Sequence, residues 1–348
     1  MKDDTPQTKA DKSLLFWCTY MLDKALSLRL GRASVLQDYD ISLPHVTPDA
    51  KAAYPGKEVL TLWIQHARVL GRIYERLYSP GALRQPENAR AEQVRLLSTE
   101  QKRLMEETRT LLREFESATD GEGRMFALTL KSDEVSYLQS LTLSYRALPP
   151  NGTRSRTFSD ECIDTARASM RCHQETIDMM DDQDDQSLKI VYIHWTILYA
   201  PFIPFIVIFC LVIETSDCED LRRLADFVRS LETACDFSSS VKKLHQLCQV
   251  LYNIAELYVE AKALEPVNPA GYEFDACLSQ LGLMPIDDAG MMGGLQADLN
   301  GGPSGGADSQ MRSLAQTNQL EDWFSGKNYM MGLLEEDLSW INPTTWPT

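Results

Sequence analysis

The chain has 348 residues, 44% of them apolar, which is enough for one large or two smaller packed domains and excludes a disordered polymer. Fifty acidic against 34 basic residues leave a net charge of -16 with no basic stripe, so this chain alone is a poor partner for nucleic acid. Helix formers dominate and strand alternation is scarce, so an all-α, multi-helical protein is expected.

Residues 1–13 are polar and mixed in charge. They read as a disordered lead without a secretory signal. A first helix is expected over 14–30, where Leu14, Trp17, Met21, Ala25 and Leu28 recur near helical spacing and Gly31 supplies a stop. Residues 34–56 hold Pro44, Pro48 and Pro55 and read as an extended connection. A second helix runs from Lys57 to Tyr78, with Trp63, Ala67, Leu70, Tyr74 and Leu77 along one side, and Ser79-Pro80-Gly81 ends it. A third, more charged helix covers 88–118 until the TDGEG break. Apolar content returns over 124–147, and PPNGT makes a loop. Ser159 is the expected cap of the next helix, with Glu161 or Cys162 in its first turn.

The acidic run DDQDDQ, 181–186, precedes the most apolar segment. Residues 190–213 are 24 in number and carry no charge. That length could span a bilayer. A helix buried on all sides in a helical domain fits equally well, with Pro201 and Pro204 kinking or breaking it. Two further helices follow near 217–235 and 239–263, capped by Asp217 or Ser216 and by Ser239 or Ser240. A short helix near 273–282 is expected to dock back on the body. The helical domain therefore extends over 14–284. A Gly-rich linker occupies 285–318, and an acidic-hydrophobic segment occupies 319–348, with amphipathic pieces at 319–325 and 328–341. From 285 onward there are nine acidic and two basic residues. Such a segment either binds a partner or covers the protein's own core.

Chemistry is hard to find. The eight cysteines form no CxxC pair and suit buried free thiols in a reducing compartment. The five histidines form no HExxH, and no nucleophile elbow, phosphate loop or dinucleotide fingerprint occurs. No catalytic residue, cofactor site or metal ligand is assigned, and no enzyme is expected. The first helix is more informative, because charges interrupt its apolar run. Asp23 and Ser27 share a face, and Arg29 and Arg32 lie at the helix end, where cations suit the dipole. Asp38 and Asp40 are their candidate partners. One account is a polar cluster that pins the following loop to the body. The other is an anion or small-molecule pocket built from Arg29 and Arg32. The cluster is the preferred account.

LLFWCTYMLDKALSLRLGRASVLQDYDISLP, residues 14–44, resembles the signature of the fungal-specific transcription factor domain, the middle homology region of fungal zinc-cluster regulators. The matching positions are Phe16 and Trp17, the run from Tyr20 through Asp23 to Lys24, Leu26 to Arg32 with Arg29 and Gly31, and Asp38 and Asp40 through Pro44. Ala33 stands where members often have Pro. A second stretch, 198–224, is similar to the PFxPFxxLF helix of such regulators with its acidic capping segment, which implies a buried helix of a soluble nuclear protein rather than a membrane span. MMGLLEEDLSWI near the end resembles their C-terminal segments.

The resemblance implies the regulatory and effector part of a fungal transcription factor, acting on RNA polymerase II transcription in the nucleus. Members carry an N-terminal six-cysteine zinc cluster that is not among these residues. Zinc is expected only in that module, and DNA is reached only through it. The chain thus looks like the C-terminal portion of a longer regulator. Transcription machinery or regulatory proteins are the expected partners, with room for a small-molecule effector and a homodimer. Partner contact is expected through Trp323, Phe324, Leu333, Leu334, Leu338 and Trp340, with Glu335, Glu336 and Asp337 keeping the opposite face wet. A single-span membrane protein with a helical soluble domain and a helical ligand-binding protein are the alternatives.

Overall fold

A computed structural model describes residues 5–43, 56–115, 121–149, 157–181, 186–198 and 203–264. Among the described residues all regular structure is helical, as expected. The expected helix near 273–282, the linker and the acidic segment with Trp323, Phe324, Leu333, Leu334, Leu338 and Trp340 lie outside the described residues, as does Pro44.

Helix α1, Pro6–Arg29, begins earlier than the polar lead led us to expect. Thr5 caps it by accepting from the Thr8 N–H at 3.2 Å, and Pro6 occupies the first helical position, where its missing N–H costs nothing. After a 3₁₀ turn at Asp38–Asp40, α2 covers Lys57–Ile73 and widens into a π turn at Tyr74–Tyr78. Ser79 then caps the short α3, Pro80–Leu83, by accepting from Ala82 N–H at 3.2 Å. Two long helices follow, α4 at Glu87–Phe115 and α5 at Gly121–Arg146. Helix α6, Asp160–Asp181, starts at the expected cap: Ser159 Oγ accepts from Cys162 N–H at 3.3 Å.

The long uncharged segment is not one rod. It divides into α7 at Gln186–Tyr192, continued by a π turn over Ile193–Leu198, and α8 at Ile203–Thr215, the two parts bent by 72°. Pro204 lies in the first turn of α8, where proline is tolerated. No single helix among the described residues is long and apolar enough to cross a membrane. Every residue from Ile203 to Ile213 is buried, against α5, α6 and two closing helices: α9, Cys218–Glu232, and α10, Ser239–Leu264. Asp217 caps α9, accepting from Glu219 N–H at 2.8 Å and Asp220 N–H at 3.0 Å. The cap of α10 is Ser238 rather than Ser239 or Ser240, with its hydroxyl accepting from Val241 N–H at 3.3 Å.

Packing follows from these faces. Helix α9 presents Leu224, Phe227, Val228 and Leu231 to the core while Arg222 and Arg229 face water. Helix α5 is central although it carries buried Ser140, Thr142 and Ser144. Their hydroxyls donate to carbonyls one turn back, at 3.0, 2.7 and 3.0 Å, so no side-chain donor is stranded. Polar ties hold the helices in register. Arg109 Nε donates to Glu134 at 2.8 Å across α4–α5, and Lys131 reaches Glu175 at 2.8 Å across α5–α6. The most buried tie is Asp220 on α9, whose side chain is fully shielded. It receives Arg167 from α6 through Nε and Nη2, and Arg223 Nη1 at 2.7 Å.

Removing a buried acceptor from two guanidiniums costs far more than removing an exposed one. Asp220→Ala is expected to lower unfolding stability by about 3 kcal/mol in urea denaturation. Asp226→Ala, which breaks the exposed pairs with Arg222 and Arg229, is expected to cost less than about 1 kcal/mol.

Candidate functional site

The residues of the signature converge where α1 ends and the chain doubles back. Gly31 adopts φ 63°, a left-handed value natural for glycine. Around it Arg32 N–H donates to Ser27 O at 3.0 Å and Gly31 N–H to Leu28 O at 3.1 Å, the paired bonds of a Schellman stop. The chain therefore turns sharply and runs back beside α1. Asp23 holds it there: its two carboxylate oxygens accept from Val35 N–H at 3.1 Å and Leu36 N–H at 2.9 Å.

Lys24, the next residue, points the other way, into the α1–α2 interface, and is 1% exposed. Its ammonium donates to Ser34 Oγ at 2.9 Å, pairs with Asp38 Oδ1 at 3.1 Å and lies 5.2 Å from the Tyr20 ring centroid. Tyr20 OH donates to the same Asp38 oxygen at 2.8 Å, and Arg68 of α2 lies 3.5 Å from the other. Burial, then the neighbouring Asp38 carboxylate, push the Tyr20 hydroxyl well above its usual range, so it stays protonated and keeps donating. Trp17 is fully buried beneath these groups, edge-on to Phe16 and Tyr20, and packs with Ile64 and Ala67 of α2. Gly71 of α2 leaves space for the lysine stem. A methyl group there would stand 2.9 Å from Lys24 Cδ and 3.2 Å from Nζ.

The favoured polar cluster thus exists, with different members. Asp38 is paired with Lys24, Tyr20 and Arg68 rather than with Arg29 or Arg32. Arg32 and Asp40 are solvent-exposed and Arg29 is half-buried at the helix end. Phe16, Trp17, Tyr20, Asp23, Gly31 and Asp38 come together; Pro44 lies outside the described residues. Lys24, Ser34, Arg68 and Gly71 complete the site. A lysine embedded in an apolar helix was a readable signal for the first. Arg68 and Gly71 sit on another helix and gave no local one. Beside the cluster a shallow cleft of about 210 Å³ is lined by Phe16, Val35, Leu36, Ile41 and Leu43, with Asp40 at its polar edge.

A second seam fixes the other side of α2. Trp63 Nε1 donates to Asp133 Oδ2 of α5 at 2.7 Å. His66 meets Ser140 Oγ at 3.1 Å and lies 4.3 Å from the Tyr137 ring. Burial holds His66 neutral, with its pKa pushed down to about 3, and raises the Asp133 carboxyl to about 7. His173 is neutral for the same reason, also at about 3, between Tyr192 OH at 2.7 Å and Ser230 Oγ at 2.8 Å. Among the described residues no group of three His, Cys, Asp or Glu side chains is gathered to hold a metal ion.

No family model matches the chain, and no solved structure matches it. A Schizosaccharomyces pombe protein named as an uncharacterized transcriptional regulatory protein is 26% identical to it over 276 residues. The match covers 73% of this chain and 41% of that relative, so the chain spans about two-fifths of the relative's length.

Two outcomes test this geometry. Gly→Ala inside a helix ordinarily stabilises by roughly 1 kcal/mol. Gly71→Ala should instead destabilise the wild type by about 1–2 kcal/mol and turn stabilising in a Lys24→Ala background, which a double-mutant cycle reads directly. The Asp133 carboxyl has a folded pKa above its unfolded one, so its contribution is fully present below pH 4 and is lost as pH rises to about 7. Asp133→Asn keeps an acceptor for Trp63 and should remove that slope, with a gain of about 2 kcal/mol at pH 8 after allowance for partial exposure.

Proposed function

We propose that this chain is the regulatory part of a fungal transcription factor, acting on RNA polymerase II transcription in the nucleus without catalysing a reaction. The observation that carries the reading is the similarity to a transcriptional regulatory protein along nearly three-quarters of the chain. The interlocked Trp17–Tyr20–Asp23–Asp38 region supports it, since the residues of the resembling signature are those that hold the α1 turn together. In this reading DNA contact belongs to a zinc-cluster module outside these residues, which accords with a net charge of -16. The acidic-hydrophobic segment supplies the partner contact: Trp323, Phe324, Leu333, Leu334, Leu338 and Trp340 fill an apolar groove on the transcription machinery, while the acidic residues steer the encounter.

Fusing the whole chain, and separately residues 307–348, to a neutral DNA-binding module tests this. Both fusions are expected to raise a reporter several-fold, and Trp323→Ala with Leu334→Ala and Trp340→Ala should return it to background. A silent reporter with both fusions, each shown to be expressed and nuclear, overturns the proposal.

A further inference from the structure

Helix α10 carries two apolar stripes, and the body of the protein takes one of them. Val241, Cys248, Leu251 and Ala255 are buried, and α10 packs on α8 and α9. The second stripe runs through Leu247, Val250, Ile254, Leu257 and Ala261. Its spacing alternates three and four residues over about 21 Å of helix, the recurrence by which one helix seats side chains between those of another. Leu247 and Ile254 are half-buried at the margin of the core, whereas Val250 is 55% exposed, Leu257 is 59% exposed and Ala261 is exposed. Covering two large aliphatic side chains one heptad apart on one helix face would be favourable.

The polar residues around this stripe single out what fits it. Its open flank carries Gln246 and Asn253, both exposed and neutral, so a partner bearing the same residues meets no like charge there. Charge enters this face at its ends. Lys243, half-buried, continues the stripe one step before Leu247, and exposed Glu260 flanks Ala261 at the other end. Turning the helix end for end about a point between Val250 and Ile254 maps the stripe onto itself. Val250 then meets Ile254, Leu247 meets Leu257, and Lys243 meets Ala261 beside Glu260. Opposite charges coincide at both ends. A parallel alignment instead sets Lys243 against Lys243. The face is therefore self-complementary in one direction only, as a two-fold contact between identical chains requires.

We infer that the outer stripe of α10 is a docking surface for a second copy of this chain, the two α10 helices packing antiparallel about a two-fold axis between Val250 and Ile254. Two heptads make a contact at the small end of specific interfaces, so the dimer is weak, with a dissociation constant on the order of 10 µM. The inference does not rest on the regulatory reading.

The test is sedimentation velocity of the full chain over a concentration series from about tenfold below to about tenfold above that dissociation constant. The wild-type chain is expected to pass from one copy to two across the series. Val250→Glu with Leu257→Glu, at exposed positions, should weaken association at least tenfold and leave the dilute chain's helical circular dichroism unchanged. Lys243→Glu and Glu260→Lys should each weaken it about tenfold, and the two together in one chain should restore it, since each end then carries an opposite pair again. A wild-type chain that stays monomeric throughout overturns the inference, and is the result expected if the chain's own residues 265–348 cover the stripe. A dimer undiminished by the Val250 and Leu257 changes overturns it as well. A dimer that the charge swap fails to restore overturns the antiparallel contact.

Discussion

A helix with no charge on any face must be surrounded, and meeting that demand for Ile203–Ile213 organises the rest of the fold. Each large aliphatic or aromatic side chain removed from water contributes roughly 1.5–3 kcal/mol, so leaving even one side of α8 wet would forfeit several such terms. Four helices, α5, α6, α9 and α10, take its faces. The demand propagates outward. Helix α9 must be strongly amphipathic because it has α8 on one side and solvent on the other. Helix α5 must be able to carry hydroxyls in the interior, and does so because each bonds its own preceding turn. Asp220 and Arg167 then lock α9 against α6 where the apolar contact ends.

The α1–α2 corner obeys a different logic. Its core is small, Trp17 and Tyr20 with Ile64 and Ala67, and apolar burial alone would hold it weakly. Polar geometry provides the definition. Asp23 fastens the returning loop by its backbone amides, and one residue later Lys24 reaches through the interface to Asp38. Adjacent residues on a helix diverge by about 100°, so a neighbouring Asp-Lys pair can hold two different surfaces at once. That is the physical reason for charges inside an apolar run. A buried ion pair of this kind costs desolvation and returns specificity of register more than net stability.

Two buried histidines and three buried thiols inside the described helices are set far from the values that acid–base or nucleophilic chemistry uses at neutral pH. His66 and His173 lie near 3, and Cys162, Cys172 and Cys210 near 12. Asp133, near 7, is engaged by Trp63 between two helices. Their shared cause is burial, which keeps the two histidines neutral and the three thiols protonated across the physiological range, while Asp133 titrates within it.

Local pattern determined a good deal. The 3.6-residue recurrence of large apolar side chains placed the helices, and short-range chemistry placed several ends: Gly31 after α1, Ser159 before α6 and Asp217 before α9 are caps because the bonds they make span only two to four residues. The absence of charge over 190–213 left two accounts, a bilayer span or a helix covered by its neighbours. What the sequence could not supply was every choice made between distant residues. It could not say that the apolar run would bend by 72°, since a uniformly apolar stretch has no face to orient it. It started α1 too late, because a polar first turn reads as loose chain until Thr5 and Pro6 are seen to cap it. It assigned Asp38 to the nearest arginines, whereas tertiary packing brought Lys24, Tyr20 and Arg68 closer. Charge pairing depends on separations of a few ångströms, and only the crossing of α1 over α2 sets those distances.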